Sequence, residues 1–297
     1  MARMPWIYLD NNIFNLLAAD EQADQIIEEV RSQYLTRASL LLLAEIGATE
    51  DATKRNRMLT IAKRLCRATN VPPLDDPRII VQRQVSAFVK KRSTINPLIS
   101  LINSNRRQLW SLLRDPNSLN DDLSRALLEI KQVQERWHQE MFDALRPRIQ
   151  ELKDVKGKSI GKAFDLISFL KHFRKQDDFL REEVANIVST TPFMKQVAGH
   201  ELELLRSNDV WRYFFVSMGV ATYNRAFQLN NYSVRRNAGG IDTVQAVYFA
   251  FTDIFVTDDV AHKGVLEVVR RYSLGQRRPK VWTYSDLRRE LNIPTAT

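Results

Sequence analysis

Apolar positions change rhythm twice along the chain. Near the N-terminus Trp6-Ile7-Tyr8-Leu9 runs without alternation into Asp10, Asn11 and Asn12. A short continuous apolar run of this kind predicts a strand buried on both faces of a parallel sheet. Helical spacing follows over 12–18 and 23–33, with Asp20 and Glu21 at the start of the second helix, where acids suit the positive end of the dipole. Residues 34–38 predict a short second strand. Ser39 is then placed to cap a helix over 40–48 that is apolar on nearly every side except at Glu45. A buried carboxylate there requires a partner, a metal or water. A further helix opens at Thr49 or Glu50 and runs through Met58, Leu59, Ile61, Ala62, Leu65 and Cys66. Pro72, Pro73 and Pro77 break the pattern, so a strand near 69–71 must be short. A helix resumes over 78–91.

From Ser93 to Asn237 the pattern is helical throughout, interrupted at Pro97, Pro116, Pro147, Gly157 and Pro192. Its clearest element spans 119–152, where Leu123, Leu127, Ile130, Val133, Trp137, Met141 and Leu145 recur every three or four residues. Packing against neighbouring helices is the favoured reading of this stripe, with a coiled-coil arm as the other. Trp211, Tyr213, Phe214 and Phe215 read as core, base stacking being the minor alternative. After a polar, basic loop over 228–240, strands return. Ile241–Phe251 predicts a helix opening near Asp242, followed by a strand over 254–257 and a helix over 260–272. A last strand is predicted over 279–283 and a closing helix over 284–291, with Ser285 or Asp286 near its cap. Strands alternating with helices at both ends imply an α/β fold with a parallel sheet, interrupted by a large all-α insertion. The resulting divisions are 1–92, 93–235 and 236–297.

Composition narrows this picture modestly. An apolar fraction of 44% supports a packed core, and 44 Lys and Arg against 35 Asp and Glu give a net charge of +9, which suits a polyanionic partner. A single cysteine, Cys66, excludes an intramolecular disulfide framework and fits a reducing, cytoplasmic setting. No signal peptide is recognised, and no apolar run reaches the ~18 to 20 residues a spanning helix needs, so no membrane association is expected.

The candidate chemistry lies in the acids. Asp10 and Asp259 each follow a predicted strand, while Glu45 and Asp242 lie on helices that follow loops. Asp10 alone reads equally well as a residue that ends a strand and caps the next helix. If the strand before Asp258 and Asp259 lies beside the first strand, all four acids can meet at the carboxyl edge of the sheet, where open α/β folds place their ligands. Carboxylates about 4 Å apart repel by ~4 kcal/mol at an effective dielectric near 20. Such a cluster needs a divalent cation or a carboxyl that stays protonated. Oxygen donors without a Cys or His set point to Mg²⁺ or Mn²⁺ and away from zinc.

These residues resemble the PIN domain, the fold of many metal-dependent ribonucleases, including toxins of toxin–antitoxin pairs. The likeness rests on Tyr8-Leu9-Asp10-Asn11-Asn12, on Leu43-Ala44-Glu45-Ile46, on Val71-Pro72-Pro73-Leu74-Asp75-Asp76, on Asp242 with Phe255-Val256-Thr257-Asp258-Asp259, and on Val281-Trp282-Thr283-Tyr284-Ser285-Asp286-Leu287. It covers 1–92 and 236–297. The distance from Glu45 to Asp242 exceeds that of compact members, a difference assigned to the helical insertion, and the spacing after Asp242 is slightly short. The resemblance implies a PIN-like three-layer fold around a central parallel sheet. It implies a metal-dependent endoribonuclease that hydrolyses RNA phosphodiester bonds with Mg²⁺ or Mn²⁺. Asp10, Glu45, Asp242 and Asp259 would form the catalytic and metal-binding set, with Asp258 able to share the role of Asp259. Thr257 would hydrogen-bond a ligand carboxylate, and Asn11 and Asn12 would orient the strand end or a phosphate oxygen.

The expected partner is RNA, single-stranded by preference with DNA also open, beside a possible antitoxin or other protein and a possible homo-oligomer. Arg235, Arg236, Arg277 and Arg278 flank the acidic helices in sequence and read either as phosphate contacts or as solvated loop charge. His262 is expected to face solvent on its helix, and His138, His172 and His200 are scattered. A haloacid-dehalogenase-type phosphatase also begins with a strand and an Asp, but needs a second Asp where this chain has Asn12. The more serious rival is a catalytically inactive PIN-like module that binds RNA or a protein through its helical insertion.

Overall fold

The apolar run Trp6–Leu9 forms strand β1, buried at every position. It pairs in parallel with β2 (Leu35–Arg37) on one side and β3 (Ile254–Val256) on the other. Strand β4 (Lys280–Trp282) adds to β3, so the order is β2-β1-β3-β4. The two ends of the chain therefore share one sheet: Ile7 lies opposite Ile254 and Leu9 opposite Val256. This computed structural model describes residues 3–67, 72–90, 244–273 and 277–294, and between them only 111–113, 115, 122–129, 132, 136, 209–214, 216–217 and 220.

The two-residue period of a strand sends alternate side chains to opposite faces, and helices cover both. Ile7, Leu9, Ile254, Val256 and Trp282 enter one core with α1 (Asn11–Ala19), α2 (Ala23–Gln33), α3 (Leu40–Gly47), α4 (Ala52–Arg67) and Leu287 of α7 (Tyr284–Glu290). Tyr8, Phe255 and Val281 enter the other. There they meet Ile80 and Val81 of α5 (Pro77–Val89), the 3-10 helix Gln245–Ala250, Trp211, Tyr213 and Phe214, and Val265, Leu266 and Val269 of α6 (Val260–Tyr272). The connection from β1 to β2 and that from β3 to β4 run in opposite directions across the sheet. Right-handed crossovers then require their helices on opposite faces, which is where α1 and α2 on one side and α6 on the other are found.

The α/β expectation is met, with adjustments at element ends. Ser39 caps α3 as expected, accepting from Leu42 N. Helix α4 begins at Ala52, later than Thr49 or Glu50, because the Asp51 carboxylate accepts from Lys54 N at 3.0 Å and caps it there. The helix expected over 241–251 is a 3-10 helix over Gln245–Ala250, with five successive buried residues. Its tight winding stacks side chains three apart, which suits a segment enclosed on all sides. The cap of α7 is Thr283, with Asp286 reciprocating from the third helical position in a capping box. The Thr283 N–H, foremost among its partners, holds the Asp286 carboxyl down to about 2. The strand expected near 69–71 lies outside the described residues. Beyond β2 the sheet is prolonged by a single parallel bridge between Ser39 and Leu74.

Part of the middle of the chain docks on the first core. Residues 122–129 are helical, Leu127 is fully buried, and Leu123 packs beside it. The Ser124 hydroxyl donates to Gly47 O at 3.1 Å. A Cβ at Gly47 would overlap Leu127 Cδ1, so glycine is what admits this contact at the end of α3. Among the described residues no helix is long and apolar enough to cross a membrane. Gly47→Ala is expected to destabilise the protein by ~1–3 kcal/mol through overpacking. In a Leu127→Ala background the same change should turn neutral or stabilising, because alanine favours the helix. Urea unfolding of the unaltered protein, the two single variants and the double variant measures this, and an equal cost of Gly47→Ala in both backgrounds would contradict the docking.

Candidate functional site

Strands β1 and β3 lie where the order of the sheet reverses. The segment after β1 leads towards β2 and the segment after β3 towards β4, so the two part and leave a crevice at the carboxyl edge. Asp10 follows β1 on one wall, and Thr257, Asp258 and Asp259 follow β3 on the other. Asp10 N donates to Val256 O at 3.0 Å, which carries the pairing to the lip of the crevice.

The Asp10 carboxylate ends its strand and caps the next helix, one of the two readings of its position. Its Oδ1 accepts from Asn11 N at 2.7 Å and caps α1. Its Oδ2 accepts from the Thr257 hydroxyl at 2.9 Å and from Asn12 Nδ2 at 3.0 Å, and lies 3.2 Å from His262 Nδ1. Thr257 Oγ1 also accepts from Asn12 Nδ2 at 3.0 Å and from Asp259 N at 3.3 Å. Asn12 Oδ1 accepts from Asp258 N at 3.1 Å, so this one side chain fastens the two strand ends together. Burial by itself would raise the Asp10 carboxyl. The hydrogen bond and charge of His262, with the Thr257 hydroxyl and the Asn11 N–H, outweigh it and hold the carboxyl below its ordinary value.

His262 does not face solvent. It is 1% exposed, and its ring meets Phe255 edge-on at 5.6 Å between centroids. The signal was present in the spacing: Val265, Leu266 and Val269 are buried, and they lie three, four and seven residues further along the same helix. Asp259 caps that helix through Oδ1, 2.9 Å from His262 N, and Asp258 Oδ1 accepts from Tyr284 N at 3.1 Å. Among the described residues neither Asp10, Asp258 nor Asp259 is paired with a lysine or arginine, and the one ion pair among the three is Asp10 with His262.

Glu45 is half-buried on α3 and bears on the same region. The Tyr8 hydroxyl lies 2.8 Å from Ser39 Oγ, and the Tyr8 and Tyr248 rings are 5.0 Å apart. Burial first, then Tyr248, Asp10 and Glu45, push the Tyr8 phenol well above its ordinary value, against the Ser39 hydrogen bond. Burial first, then Asp76, Asp75 and Glu45, do the same to Tyr248, again against Ser39. Asp10 and Glu45 thus act on one buried hydroxyl. Asp75 and Asp76, which the sequence marked only as the end of a proline-containing segment, lie along the same line of groups. Asp75 is fully buried and pairs with Arg83 at 2.6 Å.

Asp242, Arg235 and Arg236 lie outside the described residues, as do His138, His172 and His200. Arg277 and Arg278 precede β4 and therefore lie at the amino edge of the sheet, across from the crevice. Their nearness to the acids in sequence does not carry over into space, because a strand separates them from Thr283. Among the described residues no three His, Cys, Asp or Glu side chains come together closely enough to hold a metal ion. Asp10, Asp258 and Asp259 are donors of the kind a hard cation takes, and Asp242, the further acid expected beside them, lies outside the described residues.

The chain matches no protein-family model, and no similar curated protein or solved structure is found.

Thr257→Val removes the hydroxyl that donates to Asp10 and takes an acceptor from Asp259 N and from Asn12 Nδ2, which keeps Asp10 Oδ2. A loss of ~1–3 kcal/mol in urea unfolding is expected. A depressed carboxyl stabilises the fold above its unfolded value and loses that contribution as pH falls through its folded value. Loss of the hydroxyl raises the Asp10 value, so the acid-unfolding midpoint should move to higher pH. Unchanged stability together with an unchanged acid midpoint would show that the hydroxyl does not hold the carboxylate.

Proposed function

We propose that this chain is a metal-dependent endoribonuclease of PIN-like fold, with the helical segment 93–235 inserted into it, and that its reaction centre is the crevice between β1 and β3. The observation that carries the reading is the hydrogen-bonded network in which Asp10 Oδ2 takes the Thr257 hydroxyl while the backbone N–H groups of Asp258 and Asp259 bond to Asn12 and Thr257, so that three acids from opposite ends of the chain follow neighbouring strands with no lysine or arginine among the described residues paired to them. A buried carboxylate held below its ordinary value at a topological switch point suits a cation-dependent site.

In this reading Asp10, Asp259 and Asp242 bind Mg²⁺ or Mn²⁺, Glu45 binds directly or through water, and Asp258 shares the part of Asp259. The cation would supply an activated water and charge stabilisation at the phosphate. Asn12 and Thr257 fix Asp10 Oδ2, which leaves Oδ1, engaged among the described residues by Asn11 N alone, as the oxygen with capacity to spare. His262 adds a third group at Oδ2 and keeps the carboxylate from turning. The net charge of +9 favours a polyanionic substrate, and single-stranded RNA is the form proposed.

A second reading is favoured by one observation, the lack of three converging ligands among the described residues. On it the chain is a catalytically inactive PIN-like module that binds RNA or a protein partner. Cleavage separates the two. The purified protein is expected to cut single-stranded RNA with Mg²⁺ or Mn²⁺ and to stop with EDTA. Asp10→Asn and Asp259→Asn should each lower the rate by about a hundredfold or more, the equivalent of several kcal/mol of transition-state stabilisation. Full activity in both variants would refute this site, and binding without cleavage in either metal would favour the second reading.

A further inference from the structure

The amino edge of the sheet gathers charge of the opposite sign. Arg37, the last residue of β2, lays its guanidinium over the Trp6 ring, 3.8 Å from the centroid. This turns the side chain back towards the start of β1. Arg277 and Arg278, before β4, are exposed, as is Arg3, before β1. Burial first, then the charges of Arg277 and Arg3, bring the Arg37 guanidinium down to about 10, against a partial offset from Asp253. Asp253 is itself engaged, its Oδ2 accepting from Trp6 N at 2.7 Å. Among the described residues none of Arg3, Arg37, Arg277 or Arg278 forms an ion pair, and Arg37 Nε is buried with no hydrogen-bond partner.

The segment that presents Arg277 and Arg278 is built, not loose. The Tyr213 hydroxyl donates to Arg277 O, and Arg277 N donates to Asp209 Oδ2 at 3.2 Å. Asp209 is braced in turn by Arg212 at 3.4 Å. Both polar groups of the Arg277 backbone are thus pinned to the helix at 209–214, while the guanidinium is left outward. Like charges on one sheet edge destabilise the free protein, and an anion that bridges them lowers the cost. Several guanidiniums at one sheet edge suit the phosphates of a nucleic-acid strand, each of which offers a guanidinium two oxygens.

We propose that Arg3, Arg37, Arg277 and Arg278 form a second nucleic-acid contact, at the sheet edge opposite the acidic crevice, which grips the phosphate backbone of single-stranded RNA. The proposal shares with the preceding section its choice of RNA, but needs neither metal nor cleavage. The contact carries no sequence preference, since phosphates hold no base information. It anchors the strand at a distance from the acids, so RNA held there must pass around the edge of the sheet to reach them.

The test measures binding of a labelled single-stranded RNA oligonucleotide to the full chain in EDTA, by fluorescence anisotropy, over a range of salt. Arg277→Ala with Arg278→Ala is expected to weaken binding about tenfold and to flatten the plot of log affinity against log salt by ~1.4, at ~0.7 per phosphate released. Both residues are exposed, so folding should be retained, which circular dichroism checks. Lys54→Ala with Arg57→Ala removes the same charge from the exposed start of α4 and should weaken binding far less. Equal losses in the two pairs would overturn the proposal by showing that net charge alone acts. So would unchanged RNA binding in Arg277→Ala/Arg278→Ala, or a loss confined to vesicles containing phosphatidylserine, which would make the surface a lipid contact. Because EDTA silences any cleavage, failure here leaves the nuclease reading standing, and failure of cleavage leaves this contact to be judged by itself.

Discussion

One carboxylate oxygen, Asp10 Oδ2, holds the ends of this chain in register. It receives the Thr257 hydroxyl and the Asn12 amide and lies against His262 Nδ1, so groups from β1, α1, the end of β3 and α6 meet at a single atom. A buried charge of this kind is costly unless several donors surround it. Removal of any one donor leaves the others aimed at an acceptor whose charge is less well balanced. Position 10 is therefore fixed by the requirement that strands separated by most of the sequence finish side by side.

The parallel sheet supplies the frame for that meeting. Parallel pairing places all carboxyl ends at one edge and all amino ends at the other, and reversal of strand order between β1 and β3 opens the carboxyl edge. The same geometry sorts charge. Asp10, Asp258 and Asp259 follow their strands at the carboxyl edge, while Arg3, Arg277 and Arg278 precede theirs and Arg37, at the end of β2, reaches back over Trp6. A polyanion drawn by the arginines and processed by the acids would use both edges of one sheet, an arrangement that follows from strand direction and not from any special loop.

Much of this frame could be read from the residues. The runs at Trp6–Leu9 and Ile254–Val256 stand out because a strand covered on both faces has no polar positions to break it. Ser39 announced its helix because a hydroxyl before an apolar run has a backbone N–H to satisfy. His262 was misjudged because polar neighbours, Asp258, Asp259 and Lys263, mask a position that the helix period turns inward. The edge of the sheet on which the arginines before β4 lie is hidden in the sequence for a different reason. Their sequence distance from the acids is short, yet a strand lies between, and direction along a strand decides which edge a loop occupies. Asp75 and Asp76 were underweighted because proline-rich segments advertise their breaks and not their burial. The 3-10 winding of Gln245–Ala250 depends on enclosure by α5 and the sheet, which no local pattern encodes.

The account stands on carboxylates from the two termini jointly holding a hard cation. Crystals soaked in Mn²⁺ and measured at its absorption edge test this directly. The account requires an anomalous peak within coordination distance of Asp10 and of Asp259 or Asp258, with Asp242 completing the ligand set. A saturating soak that leaves the crevice without a peak, or places the ion on ligands that exclude Asp10, would contradict it.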